Sequence, residues 1–428
     1  MYDWANSAYM TTIAVGILPM YFAAVVVPPQ GFLVGETLFA AETLWGFMAS
    51  AAAFIIFLFA PTLGAIADFS ATRKRFLFSF CYLGVISATL LSFCGPGQVW
   101  LTIVLFVISQ IGFVGANVFY DAFLPHIAMT GQENRVSSKG FAYGYAGGAI
   151  QFGCALILIA AHDLFGITEE SAARLGMLSA ALWWGGFALI SACLLQEKQV
   201  AREIPRRFAF HTMALTYPAL GLSRVWQTMG QVKHQRHLLL FLLAFLVYNE
   251  GIQTVIIMAT IYGRQELHLS ATALMCTLLL VQVVAIPGAL FFAWIAEKTN
   301  SKKAILLSLV TWSAVVVYAY FIQTETEYLV LGGIVGLVLG GSQAISRSFY
   351  ASIIPKDSSA EFFAFYSVVS KFSAVLGPFI FGLMRHWSGS SRNAILSLIS
   401  FFILGIILLQ MVDEDKARKN RSILFRPQ

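Results

Sequence analysis

Long apolar runs separated by short polar breaks recur along the whole chain. They lie near residues 4–27, 44–66, 76–93, 99–122, 141–161 and 175–195, and again near 238–262, 271–296, 304–321, 328–346, 362–384 and 393–411. A helix needs about 20 mostly apolar residues to cross a bilayer, and these runs have that length. They lack the strict alternation of a membrane barrel, so the pattern predicts helices rather than strands. The expected architecture is an all-α membrane protein of about twelve spans. Residues 1–195 form one bundle of six, 196–237 a linker, 238–411 a second bundle of six and 412–428 a basic tail.

Composition supports this reading. Hydrophobic residues make up 58% of 428 and charged residues 11%, against about 25% charged in a soluble domain. A surface so poor in charge is solvated by lipid. The net charge of +6 is unevenly placed. Twenty-one Lys and Arg fall in one set of loops, including Arg73, Lys74, Arg75, Arg135, Lys139, Lys302, Lys303 and the tail. The opposite set holds only Arg174, Arg264, Arg385 and Arg392, with acids such as Glu36, Asp163 and Glu325. The basic side is cytoplasmic, which puts both termini there. The basic excess therefore belongs to loops facing the cytoplasm and not to a nucleic-acid surface. The five cysteines stand singly in apolar runs and read as packing residues.

The two halves repeat. Ile66-Ala67-Asp68 with Arg73-Lys74 reappears as Ile295-Ala296-Glu297 with Lys302-Lys303, at an offset of 229. Phe119-Tyr120-Asp121 through Pro125 reappears as Phe349-Tyr350-Ala351 through Pro355, at 230. Parallel repeats of this kind characterise secondary transporters, with the site expected near the bilayer midplane. If Tyr2-Asp3 corresponds to Tyr248-Asn249, about ten apolar residues are expected before Tyr2, as in residues 237–247.

Several motifs carry a resemblance. Gly64-Ala65-Ile66-Ala67-Asp68 followed by Arg73-Lys74-Arg75 resembles the major facilitator signature between the second and third spans, with Phe69 and Ala71 departing from it. Tyr2-Asp3-Trp4-Ala5-Asn6-Ser7-Ala8-Tyr9, Phe119-Tyr120-Asp121-Ala122-Phe123-Leu124-Pro125, Ala142-Tyr143-Gly144-Tyr145, Tyr248-Asn249-Glu250-Gly251 and Gly341-Ser342-Gln343-Ala344-Ile345-Ser346-Arg347 are more specific. They resemble the vacuolar autophagy-related amino-acid effluxers and their bacterial relatives. The resemblance implies solute export, with amino acids as the substrate class.

Ionisable groups deep in apolar helices are costly and are candidates for function. Glu250 and Lys371 fall within the seventh and eleventh spans at similar depth and invite pairing, either as a coupling site or as a structural ion pair. Asn249, Glu250 and Gln253 are expected to line one cavity, with Asp3 and Asn6 as their first-half counterparts, or else to bond between helices. Asn117, Asp121, Gln343 and Arg347 cluster near the cytoplasmic ends of the fourth and tenth spans. Asp121 with Arg347 is read as an inner gate or carboxylate holder, with a snorkelling arginine as the alternative. Gly64, Asp68, Arg73 and Lys74 form the expected switch between conformations. Gly112, Gly115, Gly144, Gly147, Gly148, Gly336 and Gly340 are expected to allow close helix approach. Trp183, Trp184 and Trp312 read as lipid-facing or interfacial aromatics.

No P-loop and no HExxH motif is present, so neither ATP coupling nor a zinc hydrolase is indicated. No cofactor and no metal is expected. The expectation is a secondary active transporter, acting as a monomer, that exports amino acids or similar polar solutes, with protons as a coupling ion. A transporter of another solute class and a non-transporting scaffold of the same fold are the alternatives. Short loops, with the one N-x-S/T sequon (Asn420-Arg421-Ser422) in the tail, suit a bacterial inner membrane, with the vacuolar membrane as the alternative.

Overall fold

The computed structural model describes residues 1–39, 41–129, 131–197, 235–372, 376–388 and 390–420, with a few positions in 223–233. The expected linker at 196–237 and the end of the tail lie largely outside the described residues.

Helices dominate. Span one, α1, runs Tyr2–Val26 and is followed by a small antiparallel hairpin, β1 (Phe32–Val34) and β2 (Thr37–Phe39). Then come α2 (Ala41–Ser70), α3 (Arg73–Leu91), α4 (Val99–Asp121), a short α5 (Leu124–Ile127), α6 (Glu133–Ala160) and α7 (Glu169–Leu194). The second half holds α8 (Arg236–Gln265), α9 (Ala271–Lys298), α10 (Ser301–Phe321), α11 (Glu325–Ile353), α12 (Ser359–Phe372), α13 (Leu376–Ser388) and α14 (Ser391–Gln410), then a tail helix α15 (Glu414–Asn420). Ten described helices are long and apolar enough to cross a membrane. Ala41–Ser70 supplies the second span, and α12 with α13 the eleventh, completing two sets of six. The hairpin was not anticipated. Gly35, at φ +63°, takes the left-handed conformation of its turn.

Helix ends follow local chemistry. Ser270 and Asn300 cap α9 and α10 by accepting amide hydrogens from Ala273 and Lys303. Thr324 and Glu327 form a capping box at the start of α11. α6 begins eight residues before the apolar run and α11 continues seven beyond it. Polar turns at these ends are helical without being hydrophobic, so hydropathy does not register them.

The chain divides into two compact units. The first comprises Met1–Ala60, Thr72–Tyr120 and Tyr143–Gln199; the second comprises Pro61–Ala71, Asp121–Ala142 and Val200–Gln428. In the first unit, α3 and α7 pack together and α7 also covers α1. Trp184 is fully buried, packed on Gly84 with Tyr9 and Phe113 beside it. In the second unit, α9 and α11 make the most extensive contact. A Cβ at Gly336 would lie 2.6 Å from the Val281 carbonyl oxygen, and one at Gly340 would meet that of Ala285. These glycines are required by close backbone approach, as the sequence suggested.

Trp312 is also fully buried, stacked on Phe402 with its Nε1 donating to Ser342 Oγ. The expected lipid-facing or interfacial placement is therefore corrected for Trp184 and Trp312, while Trp183 is half-buried and donates to the Trp4 carbonyl. Bare helix faces at glycines leave space that an indole fills, and within the bundle each ring gains contacts that lipid does not supply.

Candidate functional site

The first unit keeps a column of polar groups buried along α1. Asp3 is 8% exposed and accepts a hydrogen bond of 2.6 Å from the Tyr120 hydroxyl. One turn on, Asn6 Nδ2 donates to Asn117 Oδ1 at 2.6 Å. Tyr9 and Ser109 share a hydroxyl bond, and Thr12 donates to Gln151, which donates in turn to Ser179. The positions 3, 6, 9 and 12 follow from helical spacing, which brings residues three or four apart to one face. Sequence reasoning named Asp3, Asn6 and Asn117. It did not single out Tyr120, Tyr9 or Gln151 as site residues, although Tyr9 and Tyr120 fall within the quoted motifs.

α1 is also irregular. Tyr9–Ile17 and Phe22–Val26 adopt the wider π turn, with α turns between. Such turns are short and rare elsewhere and are frequent where helices serve function.

The second unit holds the counterpart in α8. Glu250 is 2% exposed, and its carboxylate accepts main-chain hydrogen bonds from Leu376 (3.3 Å) and Gly377 (2.6 Å), the first residues of α13. Asn249 is 4% exposed and its Nδ2 lies 3.5 Å from the Ser370 carbonyl on α12. Tyr248 shares a hydroxyl bond of 2.7 Å with Ser346. Gln253 and Gln343 are half-buried. Lys371 is in α12, but its side chain lies outside the described residues, and so does the expected pairing with Glu250. Among the described groups, main-chain amides reach Glu250.

Arg347 does not snorkel. Its side chain is 8% exposed, paired with Asp121 at 2.9 Å. Its Nε donates to Ser137 Oγ and its NH2 group to the Ser137 carbonyl, each at 3.0 Å, and the guanidinium lies 4.2 Å from the Phe141 ring centre. The guanidinium is thereby bonded in its plane and stacked on its face, which suits its fixed geometry. Asn134 lies nearby in sequence and joins Ser301 and Ser348. Ser137 and the Asn134 group carried no signal in the sequence.

The signature loop also divides. Asp68 is 6% exposed and accepts the amides of Ala360 (3.1 Å) and Glu361 (2.8 Å) at the start of α12. Gly64 lets the helices meet, since a Cβ there would stand 2.6 Å from the Ala360 carbonyl oxygen. In the first unit, the main-chain amides of Arg73 and Lys74 donate to the two oxygens of Glu197 at 2.8 and 3.1 Å. Lys302, the repeat equivalent of Arg73, receives the same treatment in the second unit. Its amide donates to Glu414 at 3.0 Å. Each carboxylate sits on a helix N-terminus, where the aligned peptide dipoles favour negative charge. Glu197 and Glu414 were not singled out in the sequence, because each lies beyond the end of an apolar run. Asp68 and its equivalent Glu297 differ, for Glu297 is exposed.

Residues 32–422 match the family model described as "Vacuole effluxer Atg22 like". The chain is 34% identical over 97% of its length, and 94% of the other's, to a protein of Bacillus subtilis named as an uncharacterized MFS-type transporter, YxiO. It is 24% identical to autophagy-related protein 22 of Coccidioides immitis, over 85% of this chain and 71% of that one. Two solved major facilitator structures have a similar fold at 13% identity each. FucP in its outward conformation gives a TM-score of 0.68 over 96% of this chain and 97% of that chain. The proton:xylose symporter XylE gives 0.70 over 99% and 96%.

Proposed function

The chain belongs to the vacuole effluxer Atg22-like family of major facilitator transporters, and on that premise we propose that it exports amino acids or similar small polar solutes, with Glu250 coupling export to protons. The observation that carries this reading is the burial of Glu250. A carboxylate within a lipid-spanning helix is expensive and is retained where it works on ions or solutes. This one is 2% exposed and accepts two main-chain amides. It accepts amides as an anion, and it can take up a proton.

The polar groups along α1 support a solute with both donors and acceptors. Asp3 offers a carboxylate, and Asn6 and Asn117 offer amides of either sense. An amino acid presents an ammonium and a carboxylate, which such groups recognise. In this reading the Arg347–Asp121 pair with Ser137 is the inner gate, and Gln253 and Gln343 add amide groups to the second unit's recognition set. Asp68, Gly64, Arg73 and Lys74 belong to the conformational switch. The membrane we assign is the bacterial inner membrane, and the monomer is the working unit. The Bacillus relative, matched over nearly the whole of both chains, favours this over the vacuolar membrane.

Proteoliposomes loaded with a mixed amino-acid pool test the proposal. Mass spectrometry of the efflux, with and without a pH gradient, is expected to find selective, gradient-dependent loss of some amino acids. Glu250→Gln is expected to abolish the gradient dependence. No efflux of any amino acid from folded protein under either condition would remove this solute class.

A further inference from the structure

A buried acid in a lipid-spanning helix is expensive, and its neighbours show what it is kept for. In the first unit that acid is Asp3, buried near the start of α1. Tyr120 on α4 donates its hydroxyl to Asp3 Oδ2 at 2.6 Å, and the Tyr2 ring, 4.8 Å from that of Tyr120, steadies the donor. Gly144 on α6 comes so close that a Cβ there would stand 3.3 Å from the Asp3 Cβ. One turn along, Asn6 Nδ2 donates to Asn117 Oδ1 at 2.6 Å. Two polar rungs thereby join α1 and α4. The faces that carry them are partly open. Gln110, Asn117 and Tyr120 of α4 are half-buried, and Met10 of α1 is exposed. Residues at these spacings share one side of their helix.

The internal repeat shows that the fold itself does not require an acid here. The counterpart of Asp3 in α8 is Asn249, and that of Tyr120 is Tyr350. Tyr350 gives its hydroxyl to the Phe362 carbonyl at 2.8 Å, so the second unit fastens the equivalent tyrosine to main chain. The acid of the second unit stands one residue further on, at Glu250, where main-chain amides reach it. Charge sign points the same way. α1 and α4 contain Asp3 and Asp121 and no lysine, arginine or histidine. Asp121 is joined to Arg347. The face around Asp3 thus has the chemistry for a positive group: a carboxylate, with amide and hydroxyl oxygens close by.

We propose that Asp3 binds the ammonium group of the exported solute, so that the first unit selects a protonated amino group and not a carboxylate. This rests on the reading of the chain as an exporter of amino acids and narrows it. Amines that lack a carboxylate are substrates of this subsite, and N-acylated amino acids are not. An ammonium offers three N–H donors, and a carboxylate has about four lone-pair sites on its two oxygens. A bond from Tyr120 and one from the solute are therefore compatible. The bond between ammonium and carboxylate is charge-assisted and roughly twice as strong as a neutral one. An N-acetyl group brings only a neutral amide with a single N–H. Asn6, one turn from Asp3, adds an oxygen acceptor, since its nitrogen donates to Asn117. Tyr120 is the positioning residue: its hydroxyl fixes the carboxylate by one oxygen.

Efflux competition tests this. Proteoliposomes of the full chain would be loaded with equimolar amino acids, their N-methyl and N-acetyl derivatives and the amines left by their decarboxylation. Mass spectrometry would follow the efflux of each above that from protein-free liposomes. The wild type is expected to export the free and N-methyl amino acids and the amines about ten- to hundredfold better than the N-acetyl forms, the worth of one hydrogen bond to a charged group. Asp3→Asn is expected to lose that preference while unfolding at the wild-type temperature, because an asparagine oxygen still accepts from Tyr120. Tyr120→Phe is expected to raise KM for amino acids about tenfold with the maximal rate retained. A rung that only held helices together would change stability and leave the preference alone. N-acetyl forms exported as well as their parents would overturn the ammonium site. Exclusion of N-methyl and N-acetyl forms alike would also overturn it, since size and not charge would then decide. These wild-type arms stand even where Asp3→Asn fails to fold. A preference kept in folded Asp3→Asn would overturn the assignment to Asp3. Amines exported without amino acids would keep the ammonium site and remove the amino-acid class from the reading beneath it.

Discussion

At the residue scale, buried charge in this protein is held by hydrogen bonds rather than by charge alone. Arg347 has a carboxylate, a hydroxyl, a carbonyl and an aromatic face around it. Removing one partner of a buried ion pair costs about 3–5 kcal/mol, because the other charge is stranded. Arg347→Ala should fall near the lower end of about 3–5 kcal/mol, since Asp121 keeps 21% of its side-chain surface exposed. Thermal unfolding of the purified protein would measure it. The double change Asp121→Asn with Arg347→Ala should cost less than the sum of the two. Additive losses would mean that the pair does not interact. The sequence named both residues but left gate and snorkel open, because burial of an arginine depends on neighbours such as Ser137 and Phe141 that have no charge pattern to betray them.

At the element scale, the contact between α9 and α11 rests on missing side chains. Gly332, Gly336 and Gly340 recur every fourth residue and so share one face. Each would bring a Cβ against Thr277, Val281 or Ala285. Gly340→Ala should push the helices apart and cost about 1–3 kcal/mol. Gly333 is on the same helix with nothing within 4 Å of a Cβ. Gly333→Ala should be neutral or stabilising by up to about 1 kcal/mol, from helix propensity alone. Unfolding curves for the two variants would separate packing from propensity, and equal effects would refute the packing account. Small residues at spacing four are legible in a sequence. The π turns of α1 are not, since Tyr9–Ile17 carries no proline and no residue type that demands them.

At the scale of the whole molecule, the internal repeat supplies equivalent positions and the fold uses them unequally. Arg73 and Lys302 both stand in the first turn of a span and give an amide to a glutamate that follows a later span. Asp68 and Glu297 are equivalent by sequence, yet only Asp68 is buried on the first amides of α12. Losing a side-chain cap costs about 0.5–2 kcal/mol. Asp68→Asn should therefore raise thiol labelling of Ser358→Cys, a position only 2% exposed, by about two- to thirtyfold. Unchanged labelling would show that the cap does not hold this contact shut.

The sequence by itself determined the class, the two-repeat layout of spans and the family. Each of these rests on composition or on motifs that are local along the chain, and lipid imposes a length and polarity that no later packing can alter. It also pointed to Glu250, because a carboxylate in an apolar run stands out wherever the run ends up. Only the tertiary structure decided what that carboxylate holds, which tryptophans are buried and which of two equivalent acids is used. Those outcomes depend on groups far along the chain, such as the amides of Leu376 and Gly377 for Glu250. A main-chain amide is present at every residue but proline, so no pattern of side chains announces which two will be left free to bind an acid.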